Sequence, residues 1–163
     1  MDINKLKNMI AFTKVNLPYG WMGNMAPFPI VYEDKLWLTT EALFQSMRFS
    51  NEEIKELIRI QASPMTAKMK AKKNRALYTV EPMSEQDVVN MKLCIKLKLV
   101  QHPVLKTELL KTADNFIFEN IELRKGARHF FWGAKLINGE LVGNNMMGKI
   151  WMEFRDKVKN NLI

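Results

Sequence analysis

The sequence lacks several features that would assign a protein class directly. It has one cysteine, Cys94, in 163 residues, which excludes a disulfide framework and a zinc site and favours a reducing compartment. No apolar run approaches the roughly eighteen residues that a membrane-spanning helix needs, and residues 1–5 lack a signal-peptide pattern. There is also no P-loop, dinucleotide-binding glycine fingerprint, HExxH zinc motif or serine nucleophile elbow. We therefore expect a cytoplasmic protein that does not bind membranes.

The composition favours one globular domain over residues 1–163. Hydrophobic residues make up 47% of the chain, and this length can bury a core without disulfides or structural metal. The charge is strongly basic, since 25 Lys and Arg against 17 Asp and Glu give a formal net charge of +8. Basic proteins tend to bind nucleic acids or phosphorylated ligands, although a scattered surplus of lysine is also common on ordinary surfaces.

Residues 39–49 predict the helix around which the chain is organised. A Thr can cap this helix at its start. One face would carry the polar side chains of Glu41, Gln45 and Arg48, and the apolar residues Leu43, Met47 and Phe49 would point toward the core. Glu41 falls in the first turn, where the helix dipole favours negative charge. Such a carboxylate can stabilise a developing cation or activate water, or it can simply begin a helix. These residues alone leave both interpretations open.

The other patterns predict short elements joined by loops. Dense Pro, Gly and aromatic residues predict an ordered loop at 12–29. Strands are expected at 30–32, 36–38 and 116–119, and helices at 52–61, 84–100, 104–112 and 149–159, with a further helix capped by Ser63. Cys94 is expected in the core, and His102 is expected to cap a helix or lie on the surface.

Basic residues concentrate on the helix that begins at Pro64: Lys68, Lys70, Lys72, Lys73 and Arg75, with no acidic residue between Glu56 and Glu81. A helix N-terminus followed by lysines can bind phosphate, because unpaired N–H groups, the dipole and the ammonium charges act together. A solvated face is the alternative. Residues 124–134 mix cations with aromatic rings, which suits a nucleotide or a flipped base but also occurs in ordinary cores.

A set of motifs carries a resemblance to a known family. They are residues 19–27 (Tyr-Gly-Trp-Met-Gly-Asn-Met-Ala-Pro), 40–49 (Thr-Glu-Ala-Leu-Phe-Gln-Ser-Met-Arg-Phe), 63–70 (Ser-Pro-Met-Thr-Ala-Lys-Met-Lys), 131–134 (Phe-Trp-Gly-Ala) and 143–155 (Gly-Asn-Asn-Met-Met-Gly-Lys-Ile-Trp-Met-Glu-Phe-Arg). In this order, over nearly the whole chain, they resemble the NADAR domain, or YbiA-like, family. Gly23 stands where the family usually has Ser, and His129 stands where many members have an acidic residue.

The resemblance implies a compact, mostly helical α+β domain that hydrolyses N-glycosidic bonds without a cofactor or metal. The family has two known substrate classes: phosphoribosylamino-pyrimidine intermediates of riboflavin synthesis, and ADP-ribose attached to guanine in DNA. The motifs here look more like the second group, which often accompanies a DarT-type ADP-ribosyltransferase toxin. We therefore expect an ADP-ribose-containing substrate and DNA as partners. A non-catalytic ADP-ribose or nucleic-acid binding module stays an alternative because of His129.

The resemblance also suggests roles for individual residues. Glu41 would stabilise the sugar cation or activate water. Lys14 is a second candidate catalytic residue, which would hold a phosphate or form a Schiff base with the opened ribose. Substrate contacts are expected from Asn24, Met25, Gln45, Arg48, Lys68, Lys70, Arg128, Trp132, Gly133 and Asn145.

Overall fold

A computed structural model describes residues 8–124 and 126–163. Contacts within the chain define two compact units. The terminal unit comprises Met1–Gly23 and Pro103–Ile163, and the central unit comprises Asn24–His102. One domain over residues 1–163 stays a prediction.

Helices dominate and the strands are short, which confirms the α+β class. The strands are β1 (Met9–Phe12), β2 (Ile30–Tyr32), β3 (Lys35–Trp37), β4 (Phe116–Glu119), β5 (Lys135–Ile137) and β6 (Glu140–Val142). The α-helices are α1 (Thr40–Ser46), α2 (Glu52–Arg59), α3 (Pro64–Lys73), α4 (Glu85–Gln101), α5 (Val104–Leu110), α6 (Ala127–Trp132) and α7 (Met146–Lys159). Short 3-10 helices lie at Gly20–Met22 and Arg75–Leu77.

In the central unit, an antiparallel hairpin leads into α1. Strands β2 and β3 pair from Ile30 with Trp37 to Tyr32 with Lys35, so Glu33 and Asp34 alone form the turn. Both have positive φ, 49° and 58°, as a tight hairpin turn requires. Strand β3 therefore begins one residue before the predicted strand at 36–38.

Helix α1 lies at the core of the central unit. It packs against α2, α3, α4 and β3, and all of its residues are buried. The predicted Thr cap is Thr39, whose Oγ1 accepts a hydrogen bond from the Ala42 N–H. The polar residues of the predicted face are therefore buried together with the apolar ones, because α1 is packed on several sides.

The central unit confirms the other predicted helix starts. Asn51 Oδ1 accepts from the Ile54 N–H at the start of α2. Ser63 Oγ accepts from the Thr66 N–H, with Pro64 in the first turn of α3. Ser84 Oγ caps α4 by accepting from the Asp87 N–H. Local side-chain chemistry therefore sets where these helices begin.

The terminal unit is built on a parallel strand pair. Strand β1 pairs with β4, with Ile10 opposite Ile117, and α7 packs against β4. Gly148 permits this packing, because a β-carbon there would clash with the Ile117 carbonyl and the Asn145 amide. The bounds of β4 were predicted correctly, whereas β1 falls partly in the predicted loop and was missed. Helix α7 begins at Met146, before the predicted residue 149.

Within residues 8–124 and 126–163, no helix is long and apolar enough to cross a bilayer. The same residues include no group of three or more His, Cys, Asp or Glu that could hold a metal ion. The absence of a cofactor stays a prediction.

Candidate active site

The three polar side chains of the predicted helix face form a buried chain of hydrogen bonds. Glu41 is 7% exposed, and its Oε1 accepts from Gln45 Nε2 at 2.8 Å. Gln45 Oε1 in turn accepts from Arg48 Nη1 at 3.3 Å. The spacing i, i+4, i+7 thus brings these residues together, and Arg48 lies just beyond the end of α1.

The chain ends at Asp87, which sequence reasoning missed. Arg48 donates from Nε and Nη2 to the two carboxylate oxygens of Asp87 at 2.9 and 2.8 Å. Both side chains are buried, with 2% of Arg48 and none of Asp87 exposed. Burial alone would lower the pKa of Arg48, but the hydrogen bond and charge of Asp87 outweigh burial and raise it, so the guanidinium stays charged. An aspartate one turn before Met91, on the mostly apolar face of α4, was the signal for this partner.

Asn24 joins the preceding loop to the first turn of α1. Its carbonyl accepts from the Glu41 N–H at 3.0 Å, and Thr40 Oγ1 lies within hydrogen-bond distance of both Asn24 oxygens. The Asn24 amide also contacts Met91 Sδ on α4 at 3.0 Å. Half-buried Met25 follows directly, so the structure brings both predicted loop residues to the start of the helix that carries Glu41.

Helix α4 adds two further buried groups to the central unit. Cys94 is fully buried, as predicted, and burial together with the charges of Glu41 and Asp87 raises the pKa of its thiol. Lys98 is 1% exposed, lies over the Phe28 ring at 5.1 Å, and burial lowers its pKa to about 7. Sequence reasoning did not single out Lys98, although a lysine one turn after Cys94 falls on the apolar face.

The basic run lies toward the carboxyl end of α3. Lys70, Lys72 and Lys73 occupy the last turn, where the dipole favours cations. These three lysines and the free N–H groups of the helix start lie at opposite ends of α3, so the dipole does not add to their charges. Phosphate binding by Lys68 and Lys70 stays a prediction. Lys68 and Lys70 are half-buried, whereas Lys72 and Lys73 are exposed beside the solvent-facing Met69.

The other predicted site residues belong to the terminal unit. Lys14 is exposed after β1, and Arg128 is half-buried in α6. Trp132 is the buried last residue of α6 and meets Phe131 edge to face. Gly133 follows, where its backbone packs closely against Glu119. A β-carbon at this position would clash with the Glu119 carbonyl.

Asn145 holds strand β4 through its side chain. Its Oδ1 accepts from the Glu119 N–H at 3.1 Å and its Nδ2 donates to the Ile117 carbonyl at 2.8 Å. The residue is buried and has a φ of 49°, a conformation that Asn tolerates better than most residues. Asn145 therefore shapes the start of α7, and its predicted contact with substrate stays a prediction.

Comparisons with known proteins agree over most of the chain. N-glycosidase YbiA of Escherichia coli is 30% identical over 151 residues, which cover 92% of this chain and 88% of that protein. N-glycosidase Npun_R5314 of Nostoc punctiforme is 28% identical over 156 residues, 94% of either protein. The NMR structure of the E. coli protein YbiA matches with a TM-score of 0.78 and 29% identity, covering 94% of this chain and 86% of that one. Residues 11–159 match the NADAR domain, and this chain therefore belongs to the NADAR domain family.

Proposed function

We propose that this protein is an N-glycosidase that removes ADP-ribose from guanine in DNA. The observation that carries the proposal is the buried Glu41 carboxylate, with one oxygen held by Gln45 at 2.8 Å. Relatives that share 28% and 30% identity with this chain are named N-glycosidases, which supports hydrolysis of an N-glycosyl bond. Functional pairing with a DarT-type ADP-ribosyltransferase and a cytoplasmic setting belong to the same proposal.

The chemistry needs a carboxylate close to the sugar. Breaking the bond between ribose C1′ and the base nitrogen develops positive charge on the sugar, and water then supplies the hydroxyl to C1′ and a proton to the base. A carboxylate stabilises that charge or activates the water, and it does so more strongly where the bulk solvent is excluded. Glu41 is 7% exposed, which meets this condition.

The other oxygen of Glu41 is available for this role. Among the residues that the structure describes, Oε1 accepts from Gln45 and Oε2 has no hydrogen-bond partner. Oε2 is not fully buried, so it retains access to solvent. We assign this oxygen to the water or the sugar.

The substrate is tested by comparing the two glycoside classes. We expect the protein to release ADP-ribose from an oligonucleotide that carries ADP-ribosylated guanine, faster than it cleaves a phosphoribosylamino-pyrimidine, with the freed sugar quantified in both reactions. Cleavage of the pyrimidine alone would assign the riboflavin-pathway substrate instead. Tight binding of ADP-ribose without turnover of either substrate would identify a non-catalytic module.

Contact with DNA predicts a steep dependence of affinity on salt. Lys72 and Lys73 are exposed in the last turn of α3, and each lysine that neutralises a phosphate releases counterions on binding. Replacing one of them by Gln should flatten the slope of log affinity against log salt by about 0.7–0.9. Binding to an unmodified oligonucleotide, measured by fluorescence anisotropy at several salt concentrations, gives this slope.

The matched control for the salt experiment is Lys96→Gln. Lys96 is exposed on α4, outside the basic run, and its replacement removes the same charge. The control should leave the slope unchanged. Equal flattening by both variants, or affinity that does not depend on salt, would contradict a DNA contact by α3.

A further inference from the structure

We propose that Arg48 and Asp87 are positioning residues that hold the Gln45 amide, and through it the Glu41 carboxylate, in one orientation. This inference rests on the proposed function, because it concerns how the proposed catalytic carboxylate is held. It differs from the role that the family resemblance gives Arg48, which is contact with substrate.

The donors and acceptors in the chain allow only one direction of hydrogen bonding. Arg has donors and no acceptor, so the Gln45 oxygen must face Arg48. A carboxylate has acceptors only, so the Gln45 nitrogen must face Glu41. The contacts follow this order, with Arg48 Nη1 to Gln45 Oε1 at 3.3 Å and Gln45 Nε2 to Glu41 Oε1 at 2.8 Å. Arg48 thereby decides which end of the amide Glu41 meets.

Arg48 is itself held on several sides. Its guanidinium makes a two-point contact with Asp87 and lies over the Phe44 ring, 4.6 Å from the centroid. Its carbonyl accepts from the Thr79 N–H at 2.8 Å. With 2% of the residue exposed, these contacts leave the guanidinium little freedom to reach a bound substrate.

Asp87, at the other end of the hydrogen-bonded chain, is also held by several contacts. It lies in the first turn of α4, and its Oδ2 also accepts from the Met83 N–H at 2.8 Å. Its own N–H donates to the Ser84 cap. The chain from Asp87 to Glu41 therefore links the start of α4 to the start of α1 through groups that are all buried.

The first test replaces the middle of the chain by Gln45→Leu, which leaves the Arg48–Asp87 ion pair in place. We expect kcat for ADP-ribose release to fall about 100-fold, the order of effect that a misplaced catalytic group produces, with KM within about twofold of wild type. Ile58→Val is the matched control, since it removes one methyl group from a fully buried core residue of α2. The control should keep both kinetic constants, with folding of every variant checked by thermal unfolding.

The second test removes both charges together, as Arg48→Met with Asp87→Leu. The paired change avoids a stranded buried charge, which removal of one partner alone would leave. We expect the double variant to lose as much kcat as Gln45→Leu, and the triple variant to lose no more, because groups that act as a unit are not additive. A rise in KM with kcat unchanged would show that Arg48 binds substrate and would overturn the proposal.

The side-chain amide signals of Gln45 in a ¹⁵N correlation spectrum give a readout that needs no activity. In the wild type we expect two separate signals from the two amide protons of Gln45, with slow exchange of these protons with water. In the double variant we expect averaged or shifted signals, while Ile58→Val leaves the signals unchanged. Identical Gln45 signals in the wild type and the double variant would overturn the proposal.

If the wild type cleaves neither glycoside, the proposed function fails and the Gln45 signals still decide whether Arg48 and Asp87 hold the amide. If the wild type is active and Gln45→Leu is unaffected, the inference alone fails.

Discussion

Glu41→Gln should abolish release of ADP-ribose from a modified oligonucleotide, with kcat lowered by about 1,000-fold or more, in a protein that still folds. The amide keeps the size of the side chain but carries no charge, so it cannot stabilise a developing sugar cation or take a proton from water. Its amide oxygen can still accept the hydrogen bond that Gln45 Nε2 donates to Glu41 Oε1 at 2.8 Å in the wild type, so the variant can keep the fold. Single-turnover kinetics with excess enzyme measures the chemical step directly.

The control for this prediction is Glu52→Gln. Glu52 also lies in the first turn of a helix, α2, but it is exposed and paired with Lys55 at 2.8 Å. We expect this variant to match wild-type activity. Full activity of Glu41→Gln, with the same thermal unfolding as wild type, would remove Glu41 from the mechanism.

Lys98→Met should change how stability depends on pH. Burial lowers the pKa of Lys98 from 10.5 to about 7, so between these values the unfolded chain holds a proton that the folded protein has released. The free energy of unfolding therefore rises with pH in this window, by about 1.4 kcal/mol per pH unit from this group. Below about pH 7 both states are protonated, and the contribution no longer varies.

The measured quantity is the unfolding free energy of wild type minus that of Lys98→Met, from denaturant titrations between pH 7 and 10. This difference should increase by roughly 4 kcal/mol over the range. The pH dependence that comes from all other titratable groups is the same in both proteins and cancels in this difference. Lys96→Met removes an exposed lysine from the same helix and should give a difference that does not vary with pH. A flat result for Lys98→Met would contradict the depressed pKa.

Local sequence signals predicted much of the fold. Helix starts were predictable because Ser63 and Ser84 accept hydrogen bonds from N–H groups three residues later. The hairpin was predictable from its apolar segments, although its register depends on the positive φ of Glu33 and Asp34. By contrast, β1 is four residues long and pairs with β4 about a hundred residues later. A strand that depends on so distant a partner leaves little local pattern.

The candidate site was only partly predictable for the same reason. Helical spacing placed Glu41, Gln45 and Arg48 together, and the structure joins them by hydrogen bonds. Helical spacing could not predict that Asp87 binds Arg48, because the two residues are 39 positions apart in the sequence. Nor could it show that the polar face of α1 is enclosed, since burial depends on where α2, α3 and α4 pack.

The most direct test of the account is the mass of a guanine-ADP-ribosylated oligonucleotide after incubation with the wild-type protein. If the bond between ADP-ribose and the base is hydrolysed, the oligonucleotide should return to its unmodified mass and free ADP-ribose should appear, with neither change in Glu41→Gln. An oligonucleotide that keeps its modification, or one that loses the whole guanine and becomes abasic, would contradict the account.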